Sequence, residues 1–163
     1  MIEQRVITVF HADRATLFRT AVKQFLKKSG IIAVGGANNS REMMQGLSQL
    51  TPDLLLTSHK LEDSEADVFL PIVKTKFPSL PILMLTMAYD KYHILKYRNS
   101  LDGMMAKWDE VAELICAIFT IVIEGKSYYS FDIYIDGQRL MGWKKLARIR
   151  KDFFDSLNYQ SEA

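Results

Sequence analysis

The sequence predicts an α/β protein with a parallel five-stranded sheet covered by helices on both faces. Short apolar runs alternate with longer segments in which apolar residues recur at helical spacing, and this alternation is typical of βαβ units. The runs at 54–56 and 82–85 are apolar throughout, as expected of strands that are buried on both sides. We therefore predict a doubly wound sheet.

The predicted elements follow one another along the whole of the first 130 residues. The five predicted strands lie at 6–10, 31–34, 54–56, 82–85 and 104–106. Helical spacing marks a first helix through Leu17 and Val22, a second through Met43 and Leu47, and a third that ends before Pro78. A fourth, more polar helix is predicted at 89–97, and a fifth at 111–123. Asn39, with Glu42 three positions later, predicts the start of the second helix.

Composition fits one domain with a short appendage and gives no general nucleic-acid or membrane signal. The chain has 163 residues, 48% of them hydrophobic, and a net charge of only +2. The single cysteine, Cys116, excludes an intramolecular disulfide and is expected to be a core residue. The apolar stretch at 114–123 is shorter than the roughly 20 residues needed to span a bilayer. We expect a cytoplasmic protein.

Functional sites of such sheets form beyond the carboxyl ends of the strands. In this chain those ends carry polar residues at 12–14, 57–59 and 86–87, and at Lys107. The segments RVITVFHAD, LFRTAVKQFL, TPDLLLTSH, FPSLPILMLTM, DGMMAK and EGKSYYS follow in order over nearly all of residues 5–130. Together they resemble the receiver domain of LuxR/NarL-type response regulators. The resemblance implies a (βα)5, flavodoxin-like receiver at 1–130.

The resemblance also implies a phosphorylation pocket, and this chain departs from its pattern. Receivers of this family hold Mg²⁺ with two adjacent acids after the first strand and phosphorylate an aspartate at the end of the third. A threonine or serine ends the fourth strand, a lysine ends the fifth, and a switch aromatic precedes that lysine. The corresponding residues here are, in that order, Asp13 and Arg14, Ser58, Thr86, Lys107 and Met104.

These departures predict a pocket without metal, cofactor or phosphotransfer chemistry. Arg14 repels a cation where the family has a second carboxylate, and Mg²⁺ requires hard oxygen ligands. Ser58 is a poor nucleophile without an activating base, and its neighbour His59 is expected on the opposite strand face. We expect Asp13 to pair with Arg14 or Lys107; alternatively, Arg14 points into solvent and the pocket is a relic.

Other chemistry-bearing residues form no recognisable pattern. His11, His59 and His93 lack the spacing of zinc ligands. Asp63 is the remaining carboxylate that we considered as an unexpected phosphoacceptor, which would make the chain a self-phosphorylating enzyme, but its predicted loop position is poor for that reaction. We therefore expect no catalytic residues and no metal site.

Residues 131–163 form a predicted extension that is too short for the helix-turn-helix domain of the family. It begins with a strand and an Asp136-Gly137 turn. A basic run at 139–151 then accompanies apolar residues at helical spacing, which predicts an amphipathic helix with its charged face in solvent or an acid- or phosphate-binding patch. The apolar members of this helix are Trp143, Leu146, Ile149, Phe153 and Leu157, and we expect the first four to carry the contact.

The predicted fifth helix is apolar nearly all round and should need a second covering surface. We predict an interaction surface on it at Ile115 and Phe119, covered by the tail or by a protein partner or second copy that also contacts the fourth helix. The favoured function is a phosphorylation-independent interaction module in signal transduction. The alternative is a transcription regulator, or a fragment of one, whose DNA-binding half is absent from this chain; this chain alone is not expected to bind nucleic acid or membranes.

Overall fold

The computed structural model describes residues 5–87, 96–97, 99–130, 133–135 and 138–140, the last two ranges by their backbone only. The strands are β1 (Ile7–Ala12), β2 (Ile31–Ala37), β3 (Leu54–Thr57), β4 (Ile82–Thr86), β5 (Gly103–Ala106), β6 (Tyr128–Tyr129), β7 (Ile133–Ile135) and β8 (Gln138–Leu140). The helices are α1 (Thr16–Lys28), α2 (Ser40–Leu50), α3 (Ala66–Lys76) and α4 (Val111–Val122). Helix α4 is the predicted fifth helix.

Six strands form one parallel sheet in the order β2-β1-β3-β4-β5-β6. Strand order reverses next to β1, because β2 lies on one side of it and β3 on the other. Such a reversal opens a crevice beyond the carboxyl ends of the strands. The predicted α/β class and doubly wound sheet are confirmed.

The alternation of side chains along β1 builds a separate core on each sheet face. Ile7 and Val9 pack in one buried cluster with residues of α1 and α4, including Val22 and Ile118. Phe10 and Ala12 belong to the other cluster, with residues of α2 and α3 that include Met43, Leu47, Phe69 and Val73. Both faces of the sheet are therefore covered, as the continuous apolar strands predict.

The predicted count of five sheet strands is one too low. The sixth strand, β6, has only two residues, and its sequence YY carries no periodic signal. It lies close to β5 because Gly103 has no side chain; a Cβ there would overlap the carbonyl oxygen of Tyr128. Strands β1 and β2 also run two and three residues further than predicted, to Ala12 and Ala37, because these polar or small residues still pair across the sheet.

A local signal in the sequence accounts for the start of α2. The Asn39 side chain caps α2, since its Oδ1 accepts a hydrogen bond from the Glu42 N–H at 2.9 Å.

Strands β7 and β8 pair antiparallel, but the predicted turn residues 136–137 lie outside the described residues. Most of the predicted fourth helix and the whole predicted tail helix also lie outside them. None of the helices in the described ranges is long and apolar enough to cross a membrane.

Candidate functional site

Four polar residues lie where adjacent strands end. Backbone hydrogen bonds hold these ends together: the Ser58 N–H donates to the Ala12 carbonyl at 2.9 Å, and the Lys107 N–H donates to the Thr86 carbonyl at 3.0 Å. Asp13 follows β1, Ser58 follows β3 and Lys107 follows β5, while Thr86 is the last residue of β4. The parallel strand order β1-β3-β4-β5 thus places all four at one edge of the sheet.

Asp13 and Lys107 form an ion pair at the centre of this edge. The Lys107 Nζ donates to Asp13 Oδ2 at 2.5 Å, and the Ala15 N–H donates to Asp13 Oδ1 at 2.8 Å. The Asp13 side chain is fully buried, and that of Lys107 is 16% exposed. Lys107 Nζ also lies 5.0 Å from the centroid of the Phe18 ring, within the range of a cation–π contact. The carboxylate therefore has a partner at each oxygen.

Arg14 does not take part in this pairing. Its side chain is exposed and forms no ion pair or hydrogen bond with the described residues. Of the two partners considered for Asp13, the structure therefore has Lys107, and Arg14 points into solvent as the alternative expected. Both residues lie in the loop between β1 and α1, where Asp13 is buried against Lys107 and the Ala15 N–H and the Arg14 side chain is exposed to solvent.

Ser58 is buried, and its hydroxyl forms no hydrogen bond with the other described residues. The neighbouring His59 directs its ring to a different strand, where Nδ1 lies 3.1 Å from Thr86 Oγ1. Thr86 is itself buried. The His59–Thr86 contact is a feature that the sequence did not predict, because it joins residues that are 27 positions apart.

Met104 lies in the core and not at the surface of the pocket. It is 1% exposed and belongs to the cluster on the α2 and α3 face. In the sheet it is paired in register with Tyr129 of β6, a half-buried aromatic that packs against the same cluster. The position of the family's switch aromatic is therefore filled by a buried thioether side chain.

His11 is a buried polar residue whose role the sequence did not reveal. It is 3% exposed, shares the sheet face of Val9, and its ring meets Phe18 edge-on at a centroid distance of 5.8 Å. Burial lowers the pKa of His11 from 6.5 to about 4; Asp13 raises it, and Arg19 and Lys107 lower it further. The available signal was that His11, directly after the run VITVF, continues the alternation of the core-facing residues Ile7 and Val9.

The remaining candidates lie apart from this pocket. Asp63 accepts hydrogen bonds from the Ser40 N–H at 2.7 Å and hydroxyl at 2.8 Å, so it holds the start of α2. Cys116 is buried, whereas Ile115 and Phe119 of α4 are half-buried. No three metal-ligating side chains converge anywhere in the part of the chain that the structure describes. His93, Trp143, Leu146, Ile149 and Phe153 lie outside that part.

Comparisons with known proteins agree with this architecture. Residues 9–119 match the model of the response regulator receiver domain family. The non-phosphorylated receiver domain of the stress response regulator RcsB from Escherichia coli is 20% identical, with a TM-score of 0.72 over 77% of this chain and 98% of that one. A LuxR-family response regulator from Aurantimonas sp. SI85-9A1 is 20% identical, with a TM-score of 0.71 over 76% and 89%.

A structure of two RcsB dimers bound to two parallel DNAs gives a TM-score of 0.71 at 20% identity, over 77% of this chain and 64% of that one. At these identities the structural likeness shows the fold. No curated protein matches the chain. The family match spans more than half of the sequence and coincides with the sheet, its helices and the polar strand ends. The chain belongs to the response regulator receiver domain family.

Proposed function

We propose that this protein is an atypical receiver that acts in the cytoplasm through protein contacts, without phosphorylation. The observation that carries the proposal is the Asp13–Lys107 ion pair. The pair engages Lys107 at one oxygen of the Asp13 carboxylate, and the Ala15 N–H occupies the other oxygen. The pocket residues Asp13, Arg14, Ser58, Thr86 and Lys107 then serve structure and not phosphotransfer.

The donor set does not fit Mg²⁺. Proteins bind this ion with one or two carboxylates in near-octahedral geometry. Here Asp13 already accepts hydrogen bonds from Lys107 and from the Ala15 N–H. A hydroxyl stands at Ser58, and Arg14 brings positive charge where the family has an acid. No step through a metal ion is therefore part of this proposal.

The serine does not replace an aspartate as acceptor. A serine hydroxyl needs a neighbouring base to become a nucleophile, and the nearest imidazole in sequence, His59, contacts Thr86 instead. Asp63 binds Ser40 through both of its oxygens. This supports a role without catalysis.

A phosphodonor experiment tests the proposal. The intact chain is incubated with acetyl phosphate and Mg²⁺, and its mass is measured. We expect no change in mass, because no free carboxylate stands at the acceptor position. The variant Arg14→Asp with Ser58→Asp restores both acids and is expected to gain one phosphoryl group. A phosphoryl group on the unaltered chain would contradict the proposal.

We further propose that residues 1–130 form the module and that α4 carries its interaction surface, together with the extension at 131–163. Ile115 and Phe119 are half-buried, and Ile123 at the end of the helix is 54% exposed. The apolar tail residues Trp143, Leu146, Ile149 and Phe153 supply the matching stripe, in the same chain or in a second copy. The similar structure of RcsB dimers on DNA supports the proposal of self-association.

The interaction surface is tested by sedimentation of the full chain. Ile115→Ser should weaken self-association about tenfold or more, since a well-packed aliphatic side chain contributes on the order of 1.5–3 kcal/mol. Leu17→Ser is the matched control, because Leu17 is 88% exposed on α1. Equal effects of the two substitutions would contradict a surface on α4. Urea unfolding of both variants separates lost association from lost stability.

The alternative function is transcription regulation, with a DNA-binding domain outside this chain. It is favoured by the DNA-bound RcsB structure, of which this chain covers 64%. A native protein larger than the 18.7 kDa of this chain, isolated from the source cell with an antibody against the receiver, would support that function. A native protein of 18.7 kDa would favour the interaction module.

A further inference from the structure

A second polar site lies on the other side of α1 from the Asp13–Lys107 pair. A cleft of about 260 Å³ separates α1 from the sheet at β1 and the edge strand β2. Its wall on the helix side consists of Thr16, Arg19, Thr20 and Lys23. These residues are spaced three and four apart, so they share one helix face. None of the described residues that line the cleft is acidic.

The floor of the cleft depends on a bulge in β2. The register with β1 pairs Val9 with Ala33 but Phe10 with Gly35, so β2 has one extra residue at this point. The bulge brings Gly36 onto the face of α1. A Cβ at Gly36 would lie 3.2 Å from Arg19 Nη1. The glycine therefore allows the guanidinium to lie directly over the strand.

Three buried nitrogen atoms beside this floor lack a hydrogen-bond partner among the described residues. Both ring nitrogens of His11 and the Nε of Arg19 form no hydrogen bond with the described residues. Buried polar atoms in proteins almost always have a hydrogen-bond partner, and an unsatisfied one is costly. Within the described part of the chain, Arg19 Nη2 makes a single long contact, of 3.4 Å, to Thr16 Oγ1. Lys23 forms no ion pair or hydrogen bond with the residues that the structure describes.

We propose that this cleft binds the phosphate group of a small molecule. Arg19 and Lys23 supply two positive charges, which match a phosphate dianion better than a singly charged carboxylate. The neutral His11 ring offers one N–H donor, and the hydroxyl of Thr16 offers another. The site lies within a receiver, yet it uses none of the residues of the phosphorylation pocket.

This inference goes beyond the proposed function and does not depend on it. A ligand here would contact α1 and β1 directly, and His11 is two residues from the buried Asp13. The module would thereby acquire an input other than phosphorylation. Because the test measures binding alone, its failure would leave the interaction proposal unaffected.

The test is a titration of the full chain with inorganic phosphate, followed by NMR at constant ionic strength. We expect saturable shifts of the His11 ring nitrogens and of the backbone amides near Gly36. Arg19→Gln should weaken binding about tenfold or more, the usual effect of losing a charge-assisted hydrogen bond. Lys23→Gln should weaken it about threefold, as expected for a more exposed charge.

The matched control is Lys27→Gln, which removes a charge from the last turn of the same helix and does not line the cleft. It should leave the affinity unchanged. Lys23 is exposed, so its variant tests the site even where Arg19→Gln unfolds. Acetate at equal concentration should bind more weakly; equal binding overturns the preference for phosphate. Shifts that are absent, non-saturable or equal in the Lys23 and Lys27 variants overturn the site.

Discussion

Lys107→Met is expected to destabilise the protein by about 3–5 kcal/mol. The substitution removes the partner of a fully buried carboxylate, Asp13, which has one remaining donor in the Ala15 N–H. A charge left without its counter-ion in the interior retains its desolvation penalty and loses the compensating attraction. The measurement is urea unfolding at pH 7, in which the free energy of unfolding of Lys107→Met is compared with that of the unaltered protein. A loss of this size is a large share of the total stability of a small domain.

The reciprocal change and a surface pair provide the controls. Asp13→Asn with Lys107→Met removes both charges and should be less destabilised than the sum of the single variants. Lys126→Met removes a lysine that is 59% exposed and lies 3.8 Å from Glu124, so it should change stability by about 0.5 kcal/mol at most. A Lys107→Met protein as stable as Lys126→Met would show that the ion pair does not hold the pocket.

Protonation of His11 is expected to lower the free energy of unfolding by about 3 kcal/mol as the pH falls from 6.5 to 4. Burial holds the pKa of His11 near 4 in the folded protein, against 6.5 in the unfolded chain. Between these values the unfolded state binds more protons, so stability rises with pH. The contribution is fully present above pH 6.5 and is lost as the pH falls towards 4. Asp13, Arg19, Lys107 and Lys23 are the charged groups around this ring.

The comparison with His11→Leu isolates this effect. The leucine variant keeps an apolar side chain on the face of Val9 and has no group to protonate there. Between pH 6.5 and pH 4, the free energy of unfolding of this variant should therefore fall by about 3 kcal/mol less than that of the unaltered protein. Chloride should be the only added anion, because phosphate is the proposed ligand of the adjacent cleft. Parallel pH profiles of the two proteins would show that His11 titrates normally.

Together, the two effects describe a pocket organised for stability. The ion pair joins the ends of β1 and β5. Protonation of the neighbouring, buried His11 ring lowers the stability of the folded protein. Lys107 is engaged by Asp13 in this structure, and this pairing supports the proposal of a module that acts through its surface.

The sequence alone determined the fold class, the order of the elements and the positions at which the pocket residues stand. These depend on local information: apolar strands such as 54–56 and 82–85, helical spacing, and the Asn39 cap are visible in a few consecutive residues. The residues at the strand ends, Asp13, Ser58, Thr86 and Lys107, follow directly once the strands are placed.

Only the tertiary structure decided which of these residues interact. By sequence, Asp13 could pair with its neighbour Arg14 or with Lys107, which is 94 positions away. It pairs with Lys107 because the carboxyl ends of β1 and β5 lie at the same edge of the parallel sheet. The burial of His11 depends in the same way on Phe18 and α1 packing above it. Spacing along the chain cannot specify such contacts, because the direction of a side chain is set by the strands and helices that pack around it.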